Sequence, residues 1–331
     1  VAKALATHVA DLELDALTQI SADVAKQLAN NKGNLSLNSL TELTPEVSKI
    51  LASKKGTLEL NGLTKLDSKA LATKLASGDR GVSLNLTTLS PKIAEILATC
   101  DGGLYLWYVD SLPVELARAI SKSAGEISLS SVSEISEEAA KELSDRTSPL
   151  DLSGLKSLTP KAAEILSRAK CPVYLSGLET LSSVPLAKKL VTQVNSASEG
   201  RVFPVQLDFY ALSKMTPEVA KELSKVDGDL NLSSLKKITI EEAKFLSNCT
   251  GNLYLSGLEE ILPEIARELA LCKYDLDLSG LVNPKQEIIK ALLEKKTGTL
   301  FLSSDVLESF PSLAENKLIE IGYGGMGGGM L

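Results

Sequence analysis

Residues Leu58–Leu66 read LELNGLTKL, and the pattern returns as LSLNSLTEL at Leu35–Leu43, LDLSGLKSL at Leu150–Leu158 and LYLSGLEEI at Leu253–Ile261. Outward from these, Leu-x-Leu-like starts fall at Leu12, Leu35, Leu58, Val82, Leu104, Ile127, Leu150, Val173, Val205, Leu230, Leu253, Leu276 and Leu300. A repeat of about 23 residues predicts stacked units, each burying its apolar face only against its neighbours. Alternation with period two makes the start of each unit a strand, with both leucines inward and the residue between them outward.

A small pair follows the strand, as in Asn61-Gly62, Ser153-Gly154, Ser176-Gly177, Ser256-Gly257 and Ser279-Gly280. Glycine or serine there suits a tight turn with close backbone approach. A helix start comes next. Thr44-Pro45, Ser90-Pro91, Thr159-Pro160 and Thr216-Pro217 place a capping hydroxyl before a proline at the first helical position. Ser21, Ser68, Ser136 and Thr239 cap without proline, and Thr239 with Glu242 forms a capping box. Apolar residues three, four and seven places after the cap, as in Val24/Ala25/Leu28 and Val219/Ala220/Leu223, predict one buried helical face.

On these features the chain resembles the leucine-rich-repeat family, in a bacterial-type variant of about 23 residues, over residues 1–308. The resemblance implies an α/β solenoid of about thirteen repeats, a horseshoe or arc with parallel strands on the concave face and short helices on the convex face. Partner binding is the role it implies. The family usually carries Asn three residues after the second strand leucine. Here that column holds Leu40, Leu63, Leu155, Leu178, Leu235 and Leu258, and polar residues stand earlier, at Asn38, Asn61 and Asn85. The array is expected to be interrupted by a polar loop at 195–204. An irregular C-terminal cap at 309–321 and a flexible Gly-rich tail at 322–331 follow. Val1, Ala2 and Leu5 match the helical part of a unit, so the chain reads as a processed product or a piece of a longer array.

Composition excludes several roles. The 331 residues carry a formal net charge of −7, against the basic footprint that nucleic acid requires. No apolar run reaches the ~18–20 residues of a membrane span. Gly322, Gly324 and Gly327 fit a GxGxxG pattern, which is expected to be a chance match in a glycine-rich tail, since a dinucleotide site demands a helix after the glycines and then a strand with an acidic residue. The sole histidine, His8, shares a column with Asn31 and Lys54, read as solvent-facing, and makes neither a triad nor a zinc site. No enzyme activity and no cofactor are expected. Four cysteines form no disulfide framework. Cys249 and Cys272 share a column in adjacent units, so a bridge is conceivable, although two small buried thiols are the favoured reading. Compartment is left open, and an exported or cell-surface location is compatible.

Three residues per unit, those flanking the two strand leucines, point away from the core. Of these 39 positions none is Lys or Arg, although the chain has 35 such residues. Ten are acidic: Asp11, Glu13, Asp15, Glu59, Glu126, Asp151, Asp208, Asp229, Asp275 and Asp277. Like charge on an open sheet discourages stacking; it also suits a cationic or hydroxyl-rich partner. The same face carries Tyr105, Trp107, Tyr174, Tyr254 and Phe301, side chains of the type that dominates binding centres. The binding centre is placed at Tyr105, Trp107, Ser128 and Tyr174, with Asp151, Tyr254, Asp277 and Phe301 on the same face. Asp11, Glu13, Asp15, Asp275 and Asp277 are weak calcium candidates, since strand-face neighbours ~6.6–7 Å apart need help from loop oxygens. The leading expectation is a recognition or adaptor solenoid for a protein or glycan. The alternative is a structural subunit that self-associates head to tail through its solenoid ends, or an assembly factor for an enzyme.

Overall fold

The structure, a computed structural model, describes residues 10–78, 80–198 and 205–322. It divides into two compact units, with the division between Tyr174 and Leu175. The first unit carries β1 (Leu12–Glu13), β2 (Leu35–Ser36), β3 (Leu58–Glu59), β4 (Val82–Ser83), β5 (Leu104–Tyr105), β6 (Ile127–Ser128), β7 (Leu150–Asp151) and β8 (Val173–Tyr174). They form two parallel sheets, β1–β3 and β4–β8, in chain order. The second carries β9 (Thr180–Leu181), β10 (Val205–Asp208), β11 (Lys214–Met215), β12 (Gly228–Asn231), β13 (Leu253–Tyr254), β14 (Leu276–Asp277), β15 (Leu300–Leu302) and β16 (Ile319–Ile321). Here β10, β12, β13, β14, β15 and β16 make one parallel sheet, and β9 pairs with β11 in a second.

Register is set by the repeat itself. Leu12 stands opposite Leu35, Leu35 opposite Leu58, Leu230 opposite Leu253 and Leu253 opposite Leu276. Within a sheet, a core leucine buries its side chain and sends its N–H to an outward-facing residue's carbonyl in the next coil. Leu35 donates to Thr57 at 2.9 Å and Leu37 to Glu59 at 3.0 Å; Leu253 and Leu255 donate to Asp275 and Asp277, both at 2.9 Å. The leucines of the column where the family places Asn are equally buried. Their N–H groups close a tight turn onto the second strand leucine, as Leu63 does onto the Leu60 carbonyl at 3.0 Å. Gly62 is required in that turn, because a Cβ there would lie 2.1 Å from the Asn38 carbonyl of the coil before.

Most helices have only seven or eight residues, as in Pro45–Leu51 and Glu137–Ser144. That is well below the ~12–15 at which isolated helices become stable, so packing and caps must hold them. Every capping hydroxyl named above accepts from the backbone N–H three residues on, and the Thr239–Glu242 box is closed in both directions.

Four expectations change. Leu207, not Val205, aligns with Leu230, which restores a 23-residue step and makes Tyr210 an outward residue. The excess at 195–204 is taken up in part by a 15-residue helix, Val184–Ser198, whose Asn195 accepts from the Asp227 N–H and donates to the Lys225 carbonyl. In the segment read as an irregular cap, a single-turn 3-10 helix at Pro311–Glu315 leads into β16, which extends the sheet through Leu300 opposite Ile319. Asn31 and Lys54, read as solvent-facing, are buried at 0% and 3% exposure. His8 and the tail beyond Gly322 lie outside the described residues.

The burial of Lys54 has a physical reason. A helix ends with carbonyls that lack partners and a concentration of negative dipole. Lys54 reaches back one coil, to the end of helix Ala22–Ala29, and donates to the Asn31 and Gly33 carbonyls at 2.9 and 2.7 Å. Arg146 does the same beyond helix Val114–Ile120, donating to the Ile120, Ser121, Ser123 and Gly125 carbonyls at 2.6–3.2 Å. Lys295 serves Cys272 and Tyr274, both at 2.7 Å. Burial holds all three groups below their ordinary pKa. Removing such a donor strands buried carbonyls, so Arg146→Met is expected to lower stability by about 2–3 kcal/mol in urea unfolding. Lys54 and Lys295 bind protons less readily folded than unfolded. Stability therefore rises with pH between the depressed and the ordinary lysine values, and Lys54→Met should flatten that alkaline rise.

Candidate functional site

The outward strand face is built from one residue between each pair of core leucines and one on either side. In the first unit, Gly103, Tyr105 and Trp107 flank Leu104 and Leu106. The Tyr105 ring lies down over Gly103, where a Cβ would stand 2.6 Å from it, so only glycine allows this pose. Burial, and then the neighbouring Glu126 carboxylate, push the Tyr105 phenol above its usual pKa. Trp107 sits beside it, with ring centroids 6.0 Å apart and planes tilted by 48°. Trp107 is 44% exposed, and Tyr174 on β8 is 46% exposed. At ~4.8 Å per strand, the three steps from β5 to β8 place their strands roughly 14 Å apart. Tyr108, which the sequence reading passed over, takes the position of the turn glycine and is 54% exposed. Its signal was an aromatic residue where sister coils carry Gly62 and Gly154.

Ser128 is turned into the stack. It is buried and donates to Asp151 Oδ2 at 2.7 Å, while Asp151 Oδ1 accepts the Ser153 N–H at 2.9 Å. The pair fixes a half-buried carboxylate between Trp107 and Tyr174 in coil order.

In the second unit the aromatic residues are more engaged. Tyr254 is half-buried and points its hydroxyl at Asp229 Oδ2, 3.4 Å away; burial and then that carboxylate raise its pKa. Phe301 is half-buried beneath Gly322, where a Cβ would meet Ser279 and Phe301 Cβ atoms at 2.6 and 3.0 Å. Asp277 is turned to the Ser279 N–H at 2.9 Å. Tyr210, exposed at 65%, joins the outward face through the corrected register of β10.

Most acidic residues of the face spend their oxygens on the stack itself. Asp11 accepts the Asn34 N–H and Asn34 in turn the Thr57 N–H. Asp229, Asn252 and Asp275 continue the same column, ending on the Thr299 N–H at 2.7 Å. A second column, Asp15 to Asn38 to Asn61, stands just after the strand. The Asn38 N–H first, then Ser36 Oγ at 2.6 Å, hold the Asp15 carboxyl below its usual pKa. These columns supply side-chain ladders where the leucine column cannot. Among the described residues, no group of three His, Cys, Asp or Glu side chains is placed to hold a metal ion. No helix among them is long and apolar enough to cross a membrane.

Each unit is thus an α/β stack of the leucine-rich-repeat type. No protein-family model matches the chain, and no curated protein matches it. Among solved structures it is similar to a leucine-rich-repeat protein of Leptospira interrogans, at 17% identity and a TM-score of 0.43, covering 94% of this chain and 95% of that one. It is also similar to an internalin of Listeria monocytogenes, at 16% identity and a TM-score of 0.49, covering 89% and 79%. The Toll–Spatzle complex of Drosophila contains a chain 15% identical, with a TM-score of 0.49, of which this chain spans 38% while 86% of its own length is covered.

Cys249 and Cys272 are buried and unbridged. Burial pushes Cys249 up to about 12, with Cys272 adding to the effect, and Cys272 up to about 11. Neither thiol should react with a disulfide reagent at neutral pH in the folded protein, and both should react at once in denaturant; a stoichiometric thiol titration with and without urea measures this.

Proposed function

We propose that the protein is a non-enzymatic recognition scaffold that binds a protein or glycan partner through the outward strand face of its first unit. The observation that carries this reading is the exposure of Trp107 and Tyr174 at strand positions where most sister coils place Ser, Asn, Asp or Glu. Large aromatic side chains with a polar handle are costly to leave in water and dominate binding centres. Asp151, held between them by Ser128 and the Ser153 N–H, adds a fixed acceptor. The face carries no Lys or Arg at its strand-flanking positions, which favours partners rich in donors.

Trp107 is the only tryptophan of the chain, so its emission reports on this face alone. A bound partner should shield it from acrylamide quenching. Trp107→Ala with Tyr174→Ala should weaken binding by at least about a hundredfold, some 2.7 kcal/mol, with the circular dichroism unchanged. Retained affinity in that double variant would sink the reading.

A second reading, end-to-end assembly, draws support from β16. Among the described residues it is the last strand in its sheet and leaves Ile321 54% exposed, and a strand edge open to pairing is a template for a further chain. Under that reading light scattering should show molar mass growing with concentration, and Ile321→Lys should abolish the growth.

A further inference from the structure

In the first unit the ladder of leucine N–H groups runs from β1 to β3 and from β4 to β8, but not between β3 and β4. The cause is in the spacing. Leu58 to Val82 is one residue longer than the usual step and Val82 to Leu104 one shorter, and Gly81 takes a left-handed φ of 85° on arrival at β4. The loss is specific. Leu35 and Leu37 donate to Thr57 and Glu59, and Val82 and Leu84 donate to Gly103 and Tyr105. The N–H groups of Leu58 and Leu60 have no such acceptor in β4. Between the two strands lies a cleft of about 180 Å³ that both leucines line, together with Glu59, Asn61, Arg80, Ser83 and Tyr105.

Backbone N–H groups that line a cleft without an acceptor in the facing strand favour an occupant that brings acceptors. The wall also selects against charge of either sign. Two N–H groups and the Arg80 guanidinium, 3.7 Å from Glu59, oppose a cation. Glu59 itself, and Glu126 at the Tyr105 hydroxyl, oppose an anion. A hydroxyl donates and accepts at one atom and answers both kinds of group. Beside the cleft, the tilted Tyr105 and Trp107 rings offer an apolar surface. We infer that the β3–β4 cleft is a subsite for one ring of a neutral, hydroxyl-rich glycan, its ring face on Tyr105 and Trp107 and its hydroxyls on the Leu58 and Leu60 N–H groups, Asn61 and Ser83. This inference rests on the first unit's strand face being the binding surface, and it names the partner class and the position.

The test titrates the full chain with two neutral soluble probes, chitohexaose and cellohexaose, and with oligogalacturonate as the anionic comparison. Trp107 emission and calorimetry serve as readouts. At least one neutral probe is expected to bind. Ser83→Phe, which fills the cleft from an outward strand position, should weaken that binding at least about tenfold, close to 1.4 kcal/mol. Tyr105→Ala should do the same by removing a wall, so a misfolded Ser83→Phe does not rescue the idea. Lys49→Ala, on a helix, should have no effect. The inference is overturned if neither neutral probe binds at about 10 mM, if only oligogalacturonate binds, or if both cleft variants bind like the parent. A partner lost from the Trp107/Tyr174 double variant but kept by Ser83→Phe would remove the cleft and leave the wider reading of the face standing.

Discussion

The structure depends on one exchange: a core leucine gives its side chain to its own coil and its N–H to the next. Leu35 and Leu253, in different units, do this at the same 2.9 Å. No coil can satisfy its own backbone, because two- to four-residue strands have no partner within the unit and seven-residue helices are too short to persist alone. Stability is therefore a property of neighbours. The caps, the glycine at Gly62, the Asp–Asn columns and the buried cations all serve contacts between one coil and the next.

What could be read in the sequence was what short windows contain. The period of two in Leu58–Leu66, the hydroxyl before Pro45 and the Thr239–Glu242 pair each lie within a few residues of what they satisfy. The misread positions depend on atoms a full coil away. Lys54 looks like a surface residue until the carbonyls of Asn31 and Gly33 are placed beside it. The register at Val205 was misplaced for another reason. Val205-x-Leu207 and Leu207-x-Phe209 both alternate, and only the 23-residue step to Leu230 chooses the second.

The same distinction sorts the acidic face. Net negative charge along the strands suggested either protection of an open sheet or a complementary partner, yet Asp11, Asp15, Asp229 and Asp275 are occupied by the N–H groups of following coils. They belong to the stack. The aromatic side chains divide as well: Tyr254 and Phe301 are held by neighbouring groups, whereas Trp107 and Tyr174 remain open. In the first unit Trp107 stays open one strand from the break in the ladder, and in the second Tyr210 stays open as well.

The buried cations also impose an order in time. Lys54, Arg146 and Lys295 each complete carbonyls 21 to 26 residues behind them, and none completes a coil ahead. A ribosome releases the chain N-terminus first. The end of helix Ala22–Ala29 must then wait for Lys54, and the end of helix Val114–Ile120 for Arg146. Each stapled coil reaches its final state one coil late, so the growing edge of a nascent chain is always its least finished part.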